Sequence, residues 1–187
     1  DGSRGRDHTA LCACRIDDGA IFLLEAWNPD SYPGGKIPTV GVDKAVRRAF
    51  ELYDVVSFRA DVKEFESYID QWAADFRKQL IVKASAGHLI AYDMRSKAKR
   101  EFLLECERFR DAVMEANLRH DGNAILRQHI LNARQRPSDT YDMVGIGKES
   151  KDSPRKIDAA VTAVLAFGAR QEYLKTKYNR KKSLEII

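Results

Sequence analysis

Cysteine is scarce, with 3 in 187 residues: Cys12, Cys14 and Cys106. An odd, sparse set builds no disulfide framework and fits a reducing compartment. Cys12 and Cys14 stand as C-x-C inside an apolar run, so on a strand both face the same side. With no His/Cys cluster to join them, they read as small core residues rather than metal ligands. No run of 18 apolar residues occurs, which excludes an apolar membrane-spanning helix. A basic leader followed by an apolar stretch is also missing, so no secretory signal is expected. The chain opens at Asp1 without methionine, as a segment of a longer polypeptide would. Internal repeats and low-complexity tracts are absent. Neither sign of charge dominates: 32 basic against 28 acidic residues leave +4. That balance permits a nucleic-acid partner without demanding one.

What is present describes one domain over residues 1–187. The length supports one full core, and the hydrophobic fraction of 44% is ordinary for a globular protein. Residues 9–16 and 20–27 are β-rich runs flanking D-D-G, a hairpin turn in which Gly19 supplies positive φ. After a Pro/Gly loop from Asn28 to Pro38, helical spacing begins at Val42 and reaches Tyr53. A strand is expected over 55–60, then a helix with Phe65, Ile69, Trp72 and Phe76 on one stripe. A further strand is expected over 79–84. This alternation argues for parallel pairing with crossover helices. A long helix carries Phe102, Cys106, Phe109 and Val113, and Gly122 breaks the pattern. A short helix holds Leu126, Ile130 and Ala133, and 141–147 reads as a late strand. The last helix is expected to start with Ser153 as N-cap and Pro154 at its first position, and to run to about Lys175. Residues 178–187 read as a frayed basic tail. The fold class is α/β, a mixed sheet with helices packed on both faces.

Acidic residues fall at telling places. Asp61 stands at the carboxyl end of a buried strand, where open α/β sheets bind ligands. Asp158 lies in the first turns of the last helix, beside its apolar stripe. Asp1 would be a strand-end residue if a strand preceded it. Three carboxylates from three elements suggest a divalent-cation site of hard oxygen donors. Read singly, each has a plainer role. Asp158 can serve the helix dipole, and Asp61 can cap its helix. Spacing alone does not bring the three together.

Four stretches carry a resemblance. They are D-G-S-R-G-R-D-H-T-A-L at the start, Y-D-V-V-S-F-R-A-D at 53–61, L-R-H-D-G-N-A-I-L-R-Q-H-I-L-N-A-R at 118–134 and S-P-R-K-I-D-A-A-V-T-A-V-L-A at 153–166. In this order they resemble the nuclease domain of the phage terminase large subunit, over nearly the whole chain. The resemblance implies a ribonuclease H-like fold and metal-dependent cutting of concatemeric double-stranded DNA during packaging of a viral genome. It implies Asp1, Asp61 and Asp158 as catalytic metal ligands for two Mg²⁺ or Mn²⁺ ions, one shared by Asp1 and Asp158, the other by Asp1 and Asp61. Asp7 is a candidate fourth acid, or else a surface charge flanking the hairpin. His120, Asp121, His129 and Asn132 match a stretch that lies near the DNA or supports the site, although H-D-G also reads as a helix-ending turn. Lys148 is a candidate phosphate contact, as are Arg4 and Arg134 among other basic residues. A solvated surface is the plainer reading of these cations. Val62 stands where the family commonly has proline.

The expected partners are double-stranded DNA, a terminase small subunit, the portal and an ATPase domain. No G-x-x-x-x-G-K-[ST] loop occurs, so the ATPase is not within this chain. The expected setting is the cytoplasm of an infected bacterium, with no membrane contact and a monomeric isolated domain. Two alternatives stay open. One is another ribonuclease H-like enzyme of resolvase or transposase type. The other is a non-catalytic DNA-binding or docking module of a packaging motor.

Overall fold

The D-D-G turn is where the chain first folds back. Gly19 takes φ +74°, and the Asp18 carboxylate accepts the Ala20 N–H at 3.1 Å. This closes an antiparallel hairpin of β1 (Thr9–Cys14) and β2 (Ile21–Trp27), with a register shift between Leu11 and Cys12. The computed structural model describes residues 7–184, with side chains at 7–62 and 65–176.

Alternation along β1 divides the interior. Ala10, Cys12 and Cys14 pack into one apolar cluster, while Leu11 enters a second. The same-side placement of the two cysteines follows the strand period. Burial raises all three thiols to about 12, so they are inert core groups.

The second cluster is built by α1 (Thr39–Leu52) and α2 (Val62–Asp75). Val42, Val46 and Phe50 face Phe65, Ile69 and Trp72, as the helical spacing predicts. Asp43 clasps the pair: it accepts the Trp72 indole N–H at 2.7 Å and binds Arg47, which also reaches Asp75 at 3.0 Å. Between these helices lies β3 (Ala60–Asp61), parallel to β4 (Ala91–Tyr92). The strand expected over 55–60 therefore contracts to its last residue plus Asp61. The strand expected over 79–84 does not form. Its Ile81 and Val82 N–H groups both converge on the Val56 carbonyl instead of stepping along a ladder. Its apolar residues answer to packing, with Leu80 and Ala84 buried.

The first cluster is centred on α5 (Asp158–Leu184), which packs on β1, β2, α3 (Lys99–Met114) and α4 (Ala124–Asn132). Small residues let its neighbours approach closely. Ala159, Ala163 and Val164 are completely buried, and the helix from 158 to 165 is buried on every side. Two expectations fail here. The helix starts at Asp158, not Pro154, and Ser153 does not cap it: its hydroxyl accepts the Arg155 N–H within the preceding loop. The helix also runs past Lys175, to Leu184. On α3, Phe102, Cys106 and Phe109 are buried, while Val113 in the last turn is 41% exposed.

An antiparallel pair, β5 (Arg134–Pro137) with β6 (Val144–Gly147), completes the chain. β5 is exposed throughout, polar and proline-ended, so no apolar alternation announced it. The fold is mixed α/β, with two antiparallel pairs and one parallel pair among the described residues. None of the helices described is long and apolar enough to cross a membrane.

Candidate carboxylate site

Asp158 opens α5 at 4% exposure, between Ile157 and Ala159, which are also buried. It is held there by α4. The buried His129 accepts the Ala159 N–H on Nδ1 at 3.0 Å, meeting one of the donors a helix start leaves open. Asn132 donates to the Lys156 carbonyl at 2.9 Å and accepts from Gln128 at 3.0 Å. Two α4 side chains thus fix the backbone on both sides of Asp158. Burial, with His8 and Lys156 nearby, pushes His129 down to about 4. The ring is therefore neutral at pH 7, as an Nδ1 acceptor must be.

The Asp158 carboxylate accepts the His8 backbone N–H at 3.2 Å. Burial raises its pKa, and the neighbouring Asp7 raises it further, against the pull of Lys148. Asp7 is half-buried and ion-paired with Lys148, and with Lys156 at 3.4 Å. Burial works to raise the Asp7 pKa. The hydrogen bond and charge of Lys148, then those of Lys156, outweigh it and hold Asp7 low. The His8 ring lies 5.1 Å from that of His129, so the 7–8 segment, the 156–158 segment and α4 meet at one place.

Asp61 is 3% exposed at the end of β3, with the Arg95 guanidinium 3.6 Å away. Its neighbour Ala60 lines the same cavity as Thr9, the residue after His8. Asp61 itself does not line that cavity, and neither do Asp7 and Asp158, so the described structure does not bring Asp61 together with the Asp7–Asp158 group. Asp1 and Arg4 lie outside the described residues. No three His, Cys, Asp or Glu side chains among the described residues form a cluster able to hold a metal ion.

The remaining predicted residues divide. His129 and Asn132 support the site through backbone contacts. His120 and Asp121 serve the hairpin instead. Asp121 accepts the Leu23 N–H at 3.0 Å and the Asn123 N–H at 2.8 Å, and His120 bridges to Ile21 and accepts the Gly122 N–H. They do not form the helix-ending turn that H-D-G also allowed, since α3 stops at Met114; the segment bonds to the edge of β2 instead. Lys148 joins the site through Asp7. Arg134 spends its guanidinium on the Leu131 and Ala133 carbonyls. Sequence reasoning missed His8 and Lys156. Each is adjacent to a candidate acid or two residues from one, and that proximity was the available signal.

Two curated relatives match. The chain is 54% identical over 180 residues to the "Gene 13 protein" of Mycobacterium phage D29, covering 96% of this chain and 30% of that protein. It is 54% identical over 187 residues to the "Gene 13 protein" of Mycobacterium phage L5, covering all of this chain and 31% of that protein. The chain thus spans under a third of the length of the relatives it matches. Both are bacteriophage proteins, which points to a phage origin. No protein-family model matches the chain, and no solved structure matches it.

The donor chemistry suits a hard divalent cation. Asp158 and Asp7 are carboxylates that repel one another, one of them buried, and a cation relieves that repulsion.

Proposed function

We propose that this chain is the nuclease domain of a viral DNA-packaging terminase large subunit, with a ribonuclease H-like fold. On this reading it cuts concatemeric double-stranded DNA by phosphodiester hydrolysis. The observation that carries the reading is Asp158. A buried carboxylate is pressed against a second acid, and two side chains of another helix fix its backbone. Raised by burial and like charge, such a group is costly to folding and useful to chemistry.

In this reading Asp1, Asp61 and Asp158, with Asp7 beside them, would hold two Mg²⁺ or Mn²⁺ ions. Bound, the ions supply a water of lowered pKa and stabilise the leaving 3′ oxygen. The chain's own residues do the rest. His129 and Asn132 keep Asp158 aimed while its charge is unfavourable. Lys148 and Lys156 balance Asp7 and present cations near a scissile phosphate. On this reading cutting shows little sequence preference. Partners supply the specificity: a small subunit, the portal and an ATPase domain, inside the infected bacterium.

The same lysines favour a second reading. They neutralise Asp7 by themselves, as a salt-linked docking module would require. Supercoiled plasmid incubated with Mn²⁺, Mg²⁺ or chelator separates the two. Nicking that needs the cation and vanishes in Asp158→Ala supports the nuclease. Absence of both cutting and calorimetric cation binding in the full-length protein supports the docking module.

A further inference from the structure

Two parallel strands end side by side at Asp61. The register pairs Ala60 with Ala91 and Asp61 with Tyr92, so the chain leaving β4 passes close to the Asp61 carboxylate. There it turns at once. Asp93 accepts the N–H groups of Arg95 and Ser96 on Oδ1, at 3.3 and 3.1 Å, and its carbonyl accepts the Ala98 N–H at 2.9 Å. This turn leads into α3 and fixes the backbone of Arg95. The side chain reaches back to Asp61, with the guanidinium 3.6 Å from Oδ2.

The pair is lopsided. The Asp61 side chain is 4% exposed and that of Arg95 is 55% exposed. A structural ion pair looks different, and the molecule holds one for comparison. Arg59 and Glu105 are both buried and 2.7 Å apart, and the Arg59 guanidinium also lies over the Tyr92 ring at 4.5 Å. At 3.6 Å the Arg95 contact is charge to charge and not a hydrogen bond. Among the described residues the Arg95 side chain has no second partner to confine it. A buried carboxylate needs a counter-charge, whereas an exposed guanidinium gains little from a carboxylate. The contact therefore serves Asp61 and leaves Arg95 free to move. Lys148 and Lys156 give Asp7 a similar service, but both are mostly buried, so Arg95 is the cation best placed to leave.

We propose that Arg95 is an exchangeable counter-cation. It holds Asp61 while no divalent ion is bound, yields when one binds there, and then takes a phosphate oxygen of the DNA duplex. The inference rests on the nuclease reading. A divalent ion carries twice the charge of the carboxylate, so a guanidinium within about 4 Å of both is repelled more than it is attracted. The displaced side chain swings from a fixed backbone, which keeps it in the neighbourhood of Asp61. DNA cut there brings its phosphates to that neighbourhood, and a guanidinium binds phosphate through paired N–H donors.

The test is Mn²⁺ binding to the full-length protein, read by calorimetry without DNA. Asp61→Asn identifies the part of the isotherm that belongs to Asp61. Arg95→Gln should tighten that part by about threefold or more, because the ion no longer displaces a charge. Arg95→Lys keeps the charge and should stay within about twofold of the parent, as should Lys97→Gln, which removes an exposed charge two residues away. In chelator Arg95→Gln should melt below the parent, and saturating Mn²⁺ should close the gap. The phosphate contact has its own readout. Duplex binding at saturating Mn²⁺, in an Asp158→Asn background to suppress cutting, should lose about one unit of salt slope in Arg95→Gln. Unchanged or weaker Mn²⁺ binding in Arg95→Gln overturns the proposal and leaves the nuclease reading standing, and so does an unchanged salt slope. Equal tightening by Lys97→Gln overturns it as well, since the effect is then one of general charge. A parent that binds no Mn²⁺, or binds it unaltered in Asp61→Asn, overturns the nuclease reading at Asp61 and the proposal with it.

Discussion

At the scale of single residues, Asp158 on the proposed reading sets function against stability. Its charge is disfavoured by burial and by Asp7, so removing the charge removes a cost to folding. Asp158→Asn keeps the shape and an acceptor for the His8 N–H. It should melt no lower than the parent in chelator, while plasmid cutting falls by about a thousandfold or more. A variant that loses stability and cutting together would make Asp158 a structural cap. His129 gives a pH signature. Its folded pKa near 4 lies below the usual 6.5, so between those values the unfolded chain binds a proton that the folded chain refuses. Stability therefore falls as the pH drops from 6.5 toward 4. In His129→Gln the amide oxygen can still accept the Ala159 N–H, but nothing titrates. Urea unfolding in chelator across that window should show a shallower slope than in the parent. Asp61 and Asp158 were legible in the sequence because position relative to an element marks them. The Lys148–Asp7 pairing and the His8–Asp158 bond were not, since they join residues 141 and 150 apart.

At the scale of elements, the start of α5 shows what local signals miss. S-P-R-K has the capping residue and the proline of a helix start, yet the helix begins four residues later. Its first turn is organised by α4 through His129 and Asn132, which no local pattern encodes. The central residues of the stripes on α1, α2 and α3 are buried as expected because one apolar face each decides them, while the last members, Tyr53 and Val113, are exposed where the helices end. The 79–84 run failed because an apolar segment of that length packs as well in irregular backbone as in a strand. The packing of α3 on α5 carries its own prediction. Glu105 is buried, pairs with Arg59 at 2.7 Å and accepts the Tyr92 hydroxyl at 3.3 Å. A β-carbon at Gly168 would collide with that carboxyl group. Alanine normally gains about 1 kcal/mol over glycine inside a helix. Here the pinned carboxylate cannot yield cheaply, and overpacking costs about 1–3 kcal/mol. Gly168→Ala should therefore destabilise by about 1–2 kcal/mol in urea unfolding. A stabilised variant would mean that Glu105 swings aside and its contact with Arg59 is loose.

At the scale of the whole molecule, the interior is two clusters on opposite faces of one hairpin. α3, α4 and α5 gather the first, and α1 and α2 the second. A cavity with β1 on one side separates the hairpin from the 53–60 run. That run and β3 anchor the second cluster, while β4 joins both, with Ala91 packed against the second and Tyr92 in the first, so the clusters meet at the hairpin and at β4. A buried bridge crosses the divide: Arg59, beside the second cluster, reaches Glu105 on α3. Cooperative units in proteins follow contiguous burial. The second cluster therefore opens on its own, and earlier. Native-state hydrogen exchange of residues 1–187 in rising sub-denaturing urea should show amides of 42–50 and 69–72 exchanging together, at lower urea than those of 102–109 and 159–167. Arg59→Met should lower the opening energy of the first group by about 3 kcal/mol or more, because Glu105 is left buried without its cation. The second group should move by less. A single common isotherm for all four segments would show that the hairpin and the Arg59–Glu105 bridge bind the two clusters into one unit.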